Sequence, residues 1–152
     1  MPHTPNCPLC LEPGGTVLWH SGILRVIRVD DPFFPGFTRV VWREHVREMT
    51  DLPEADRRRL MAAVWTVERA QRYFLHPDKI NLAQFGNMAP HLHWHVIPRW
   101  RGDSHFPEAV WARAPARSDG QSQAWAEQKT RIQSQLPDYY KGLVNQLDND
   151  VS

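Results

Sequence analysis

His91-Leu92-His93-Trp94-His95-Val96-Ile97-Pro98 is the stretch whose reading decides the fold. Its histidines stand at i, i+2 and i+4, and an extended segment sends alternate side chains to opposite faces, so all three imidazoles point the same way. The intervening Leu92, Trp94, Val96 and Ile97 are large or β-branched and suit a pleated strand whose other face lies in a core. Pro98 lacks the N–H that an interior ladder needs, which predicts a strand over residues 91–97 that stops there. Imidazole, with an ordinary pKa of about 6.5, serves near neutral pH as nucleophile, acid, base or metal ligand. One exposed histidine carries little message, whereas three in register predict a functional site.

Working outward, residues 79–85 (KINLAQF) read as a neighbouring strand and Gly86-Asn87 to Pro90 as a tight connection. Asp51-Leu52-Pro53-Glu54 reads as a helix start, with Asp51 as cap and acidic residues in the first turn. Leu60, Val64, Val67, Gln71 and Phe74 then recur every three or four residues, predicting one long helix over 53–75. Its arginines, Arg57, Arg58, Arg59, Arg69 and Arg72, read as a solvated face. Residues 16–20, 23–29 and 37–42 are β-rich. Ser21-Gly22 supplies a two-residue turn between the first two, and the pattern is a small antiparallel meander. Residues 99–120 are rich in Pro, Arg and Trp and read as surface loop, 122–135 as a C-terminal helix, and the last few residues as frayed. The fold class is α+β.

At 152 residues, with 41% hydrophobic and 23% charged residues, the chain has the make-up of one globular domain. A net charge of +1 is not the basic footprint of a duplex-binding protein, so extended nucleic acid is not an expected partner. The N-terminal residues lack the basic and apolar regions of a signal peptide, and no apolar run approaches the roughly 18 residues of a membrane span. A cytoplasmic location without membrane attachment is the expectation. The two cysteines form the knuckle Cys7-Pro8-Leu9-Cys10, which in a reducing compartment points to metal more than to a structural disulfide.

The run HLHWHVIPR at 91–99 resembles the signature of the histidine-triad (HIT) superfamily of nucleotide hydrolases and transferases. Other stretches agree in order: Cys7-Pro8-Leu9-Cys10 with the N-terminal CxxC of many bacterial members, Pro35-Gly36 with their turn before a core strand, Arg43-Glu44-His45 with the basic-x-His ending that strand, and Gly86-Asn87 with their Gly-Gln. The resemblance covers residues 7–100. It implies a HIT-like antiparallel sheet with one long helix and a C-terminal helix, residues 1–120 being one HIT-like domain and 121–152 a helical extension packed on it. It also implies a homodimer and a nucleotide substrate whose phosphoanhydride or phosphoramidate bond is cleaved. Dinucleoside polyphosphates such as diadenosine tetraphosphate and nucleoside phosphoramidates are both compatible. By the resemblance His93 is the nucleophile that forms a covalent nucleotidyl-histidine, His95 donates to a phosphate oxygen, and no catalytic cofactor is required. Cys7, Cys10, His45 and His91 match the ligands of a structural zinc. Asn87, Gln84 and Asn81 are candidates for the phosphates, and Asp30 for the ribose hydroxyls, although Asp30 reads equally well as a turn residue.

Two positions depart from the family pattern. Phe37 stands where many members carry a further histidine within the catalytic cluster, and Met88 where a Ser or Thr often assists the leaving group. An aromatic ring cannot relay a proton, so activity would be lower, shifted in pH, or dependent on another residue such as His105 or Gln84. Two rivals follow: a nucleotide-binding protein of the same fold with little turnover, and a zinc metallohydrolase that uses the HxHxH histidines as ligands. His3, His20, His76 and His105 read as surface residues without a role.

Overall fold

The computed structural model describes residues 4–151. A short helix α1 (Pro8–Leu11) precedes strands β1 (Thr16–His20), β2 (Leu24–Arg28) and β3 (Thr38–Trp42). A 3-10 turn (Met49–Asp51) leads into α2 (Glu54–Leu75), and β4 (Lys79–Ala83) and β5 (His93–Arg99) precede α3 (Asp119–Asp150). The strands make one antiparallel sheet in the order β1-β2-β3-β5-β4. This is the α+β architecture expected, a sheet with one long helix and a C-terminal helix. Ser21 closes the expected hairpin: its N–H donates to the Leu24 carbonyl, and its hydroxyl accepts from the amides of Ile23 and Leu24.

Strand alternation gives the sheet two unlike faces. Leu24, Val26, Val40, Trp42 and Val96 share a core with Leu60, Val64 and Val67 of α2 and with Ile132, Tyr139, Leu143 and Leu147 of α3. Burying each such side chain contributes about 1.5–3 kcal/mol, which fixes the helices on this face. Buried Gln71 of α2 donates to the carbonyls of Gly36 and Val96, at 3.0 and 2.9 Å, and so pins the turn before β3 to β5. The Thr38 hydroxyl, 2.8 Å from the buried Tyr139 hydroxyl, ties β3 to α3. Among the described residues the other face carries no long helix. Ile27 and Val41 pack there on Cys7 and Leu9, and Phe37 and Ile97 pack on Phe34. His93 and His95 lie opposite Val41 and Arg39 on the same face.

Several boundaries differ from the sequence reading, each for a physical reason. β5 begins at His93 and runs through Pro98 to Arg99, leaving His91 in the preceding loop. Proline is carried because β3 pairs with β5 only as far as Val96, so beyond it the strand has β4 alone as a neighbour. Asp51 does not cap α2; it closes the 3-10 turn by accepting from the Glu48 amide at 3.0 Å, and Pro53 holds the cap position. β4 ends at Ala83 rather than at residue 85. The largest difference is α3, which runs well beyond 122–135, from a Ser118–Gln121 capping box straight through Pro137. A proline inside a helix removes one bond and crowds the previous turn. Here the turns beyond it bury Tyr139, Leu143 and Leu147, which offsets that cost. Gly142 admits Phe74 so closely that a Cβ there would stand 2.1 Å from its ring. The end of the helix does not fray: Asp148 accepts from the Trp19 indole at 2.7 Å, and Asp150 accepts from Thr66 and Arg69.

Candidate functional site

Four side chains from three separate segments meet where β3 ends. Cys7 and Cys10 bracket the turn of α1, His45 follows β3, and His91 precedes β5. Their ligand atoms all lie within 4.8 Å of one another. Tetrahedral zinc, with bonds of about 2.3 Å to sulfur and 2.0 Å to nitrogen, would hold the two kinds of donor roughly 3.5 Å apart. The Sγ–Nδ1 separations are 3.5 Å for Cys7 and His91, 3.4 Å for Cys10 and His45, and 3.4 Å for Cys10 and His91. His91 Nε2–H donates to the Trp42 carbonyl at 2.7 Å, which leaves Nδ1 with its lone pair toward the sulfurs. A ligating histidine ordinarily carries such an outer bond. Arg25 clasps the knuckle from β2, donating to the carbonyls of Pro13 and Leu9 at 3.0 and 2.8 Å. These four residues are positioned to bind a metal, and the donor set suits zinc.

His93 and His95 share a face, as their spacing requires, with ring centroids 4.8 Å apart. Their two tautomers are set in opposite senses. His93 Nδ1–H donates to the His91 carbonyl at 2.6 Å, so its Nε2 keeps a free lone pair. Arg39 Nε–H donates to His95 Nδ1 at 3.2 Å, so the proton of a neutral His95 sits on Nε2. Burial lowers the pKa of His93, helped by the positive charge of Arg39. Burial, the neighbouring His93 and Arg39 together push His95 down to about 3. Both rings are therefore neutral near pH 7. They open into a cavity of about 580 Å³ that Arg39, Phe85, Asn87, Met88 and Trp111 also line. Among the described residues no carboxylate lines it.

Trp111 stands edge-on to His95, its ring centroid 4.9 Å away, and equally close to Phe85. The loop that carries it is fixed by the buried pair Arg99–Asp103, joined at 2.8 and 3.0 Å, and by Arg99 donating to the Glu108 carbonyl. That side-chain pairing ties down a segment without regular structure beside the site.

The structure brings some expected residues together and not others. Asn87 lines the cavity, and Gln84 lies beside Gly86 without lining it. Asn81 accepts from Arg99 at 2.8 Å, outside the cavity. Asp30 pairs with Arg28 at 3.3 Å on the surface, away from the histidines. His105 is half-buried against Phe34, with ring centroids 5.0 Å apart, and is not the free surface residue expected. His3 lies outside the described residues. Met88 is 95% exposed at the cavity rim. The three histidines do not converge on one point, because His91 has turned to the cysteines, so direct metal ligation by all three finds no support in the geometry. Sequence reasoning missed Arg39. A charge inside the apolar strand TRVVW was the available signal for Arg39, since β3 alternation puts it on the face of Phe37 and Val41.

The family model described as HIT domain matches residues 13–102. The chain belongs to the HIT family. This HIT-domain chain is similar to a histidine triad protein from Bradyrhizobium japonicum, at 28% identity and a TM-score of 0.62, over 80% of this chain and 92% of that one. A histidine triad protein from Marinobacter aquaeolei VT8 gives the same identity and TM-score over 82% and 92%. Among curated proteins it is 35% identical over 81 residues to the AP-4-A phosphorylase of Mycobacterium tuberculosis (strain ATCC 25618 / H37Rv), covering 49% of this chain and 42% of that protein. The HIT-domain chain thus spans less than half the length of the curated relatives it matches.

Proposed function

We propose that this protein is a nucleotide hydrolase or transferase that cleaves a phosphoanhydride or phosphoramidate bond through a covalent intermediate on His93. The observation that carries the reading is the tautomer of His93: with Nδ1–H given to the His91 carbonyl, Nε2 presents a lone pair to an open cavity beside a second histidine. A neutral imidazole is a good nucleophile toward phosphorus and, once protonated, a good leaving group from it. Nε2 of His93 attacks the α-phosphorus, and the bond to the distal phosphate or amine breaks, its electron pair leaving with that group. Water or another acceptor then takes the nucleotidyl group from His93. His95 Nε2–H donates to a non-bridging oxygen as charge develops. Asn87 is the amide best placed to help hold the phosphates.

The M. tuberculosis relative's name, AP-4-A phosphorylase, supports dinucleoside polyphosphates as the substrate class. Structural zinc on Cys7, Cys10, His45 and His91 and a homodimer in the cytoplasm complete the reading. No helix among the described residues is long and apolar enough to cross a membrane.

Brief incubation with adenosine 5′-phosphoramidate, followed by acid-free quenching and intact-protein mass spectrometry, tests it. One added AMP on the wild type, and none on His93→Ala, is expected. Saturable nucleotide binding with neither adduct nor released AMP would instead favour the second reading, a binding protein with little turnover. Phe37 and exposed Met88 are the features on that side.

A further inference from the structure

We infer that Arg39 is the positioning residue that sets the tautomer of His95, and that with Phe37 it occupies the place of the family's additional histidine. The inference rests on the proposed nucleotidyl transfer for its functional meaning, but its geometry stands alone. Register places Arg39 directly across from His95, so the two side chains rise together from neighbouring strands on the cavity face. Arg39 Nε–H points at His95 Nδ1, 3.2 Å away. An arginine has hydrogen on every nitrogen and no acceptor, so the contact has one polarity only. His95 must accept at Nδ1, and its single proton in the neutral ring must lie on Nε2. A histidine partner could donate or accept; arginine cannot, and the tautomer is fixed at every pH where His95 is neutral.

Phe37 holds Arg39 in this pose. Its ring lies 5.5 Å beneath the guanidinium carbon and 5.7 Å from the His95 ring, to which it stands edge-on. Phe37 is itself buried against Phe34 and Ile97, so the platform is rigid. The residue that looked like a lost catalytic group is the support for a different one. Among the described residues no hydrogen-bond acceptor takes the terminal guanidinium nitrogens of Arg39; the Asp31 carboxylate, whose charge acts on Arg39, does not line the cavity. One side chain thereby orders His95 through Nε and leaves a cationic fork for the phosphates of a nucleotide, where bidentate donors suit phosphate oxygens.

Two variants separate these roles. Gln carries its amide nitrogen and its amide oxygen at the chain position of arginine Nε, so Arg39→Gln keeps a donor within reach of His95, removes the charge and adds an acceptor. Arg39→Met keeps the length and removes both. In zinc-loaded, ¹⁵N-labelled protein, long-range proton–nitrogen correlation reads the His95 tautomer directly. The wild type is expected to show Nε2–H alone, Arg39→Met a mixture, and Arg39→Gln an intermediate population, because its amide can also turn its oxygen to accept from Nδ1–H. With adenosine 5′-phosphoramidate, Arg39→Met is expected to lose about 10–100-fold in kcat, the scale known for removing the outer partner that orients a metal-ligating histidine, while Arg39→Gln raises KM more than it lowers kcat. An Nδ1–H tautomer in the wild type, or an unchanged His95 spectrum in Arg39→Met, would overturn the inference. So would an unchanged kcat in Arg39→Met beside an active wild type. A wild type that never turns over while its His95 spectrum behaves as expected would sink the proposed reaction and leave the role of Arg39 standing.

Discussion

His91 and His93 are two residues apart and do opposite things. The imidazole of His91 is fully buried, its Nε2 bonded to a backbone carbonyl and its Nδ1 turned to two sulfurs. His93 bonds once, to the carbonyl of His91, and keeps its other nitrogen open to a cavity. The cysteine–histidine cluster is closed and saturated with partners, as a structural site should be; the adjoining cavity keeps a valence free, as a reactive site must. The same residue type serves both because the chain enters β5 between them, which turns one ring toward the knuckle and the other onto the sheet face. The two regions meet in the peptide of His91, whose side chain belongs to one and whose carbonyl belongs to the other.

Removing His93 is the most severe test of this division. His93→Ala is expected to lower nucleotide turnover by about 10⁴-fold or more, the scale seen when a nucleophile is deleted, with the melting temperature and zinc content unchanged; equal losses in all three would merge the two regions. Cys10→Ser attacks the closed cluster. It is expected to abolish stoichiometric zinc binding by elemental analysis and to lower stability by about 4 kcal/mol, the upper range for a single substitution. Surviving molecules at low temperature should still form the AMP adduct. His91→Ala sharpens the comparison further, because it removes the metal ligand and leaves the carbonyl that orients His93: turnover per folded molecule should fall far less than stability does.

His95→Ala is expected to cost about 10²–10³-fold in turnover, as for loss of one preorganised donor. Its pH behaviour adds a check. The folded His95 binds a proton only near pH 3, whereas an unfolded one does so at about 6.5. Its contribution to stability is therefore complete above about pH 6.5 and is lost progressively as the pH falls toward 3. Melting curves of His95→Ala should show a shallower acid slope than the wild type. Smallest of all, Tyr139→Phe should lower stability by about 1 kcal/mol through loss of the bond to Thr38, with no change in turnover.

Much of this division is legible in the sequence, though unevenly. The two-residue period places His93 and His95 on one face, whereas the CxxC knuckle supplies only two ligands by itself and it is the resemblance to the HIT superfamily that joins His45 and His91 to it. The departure of His91 from the strand is not legible, since its ring direction depends on sulfurs 84 and 81 positions away. Local pattern also ends α3 before Leu136-Pro137, because the burial that carries a helix through proline is a tertiary fact supplied by α2. Arg39 escaped for a related reason. A charged residue in a strand reads as solvent-facing until the partner strand's register sets His95 opposite it.

The bond between Trp19 and Asp148 joins residues 129 positions apart, and that between Thr38 and Tyr139 joins residues 101 apart. In time rather than in space, β1 and β3 leave the ribosome long before the helix that secures them. The first strands made are the last to be locked. A nascent chain holding the whole histidine triad still lacks the helix behind its sheet, and the cavity gains its rigid floor only when nearly all of α3 has been synthesised.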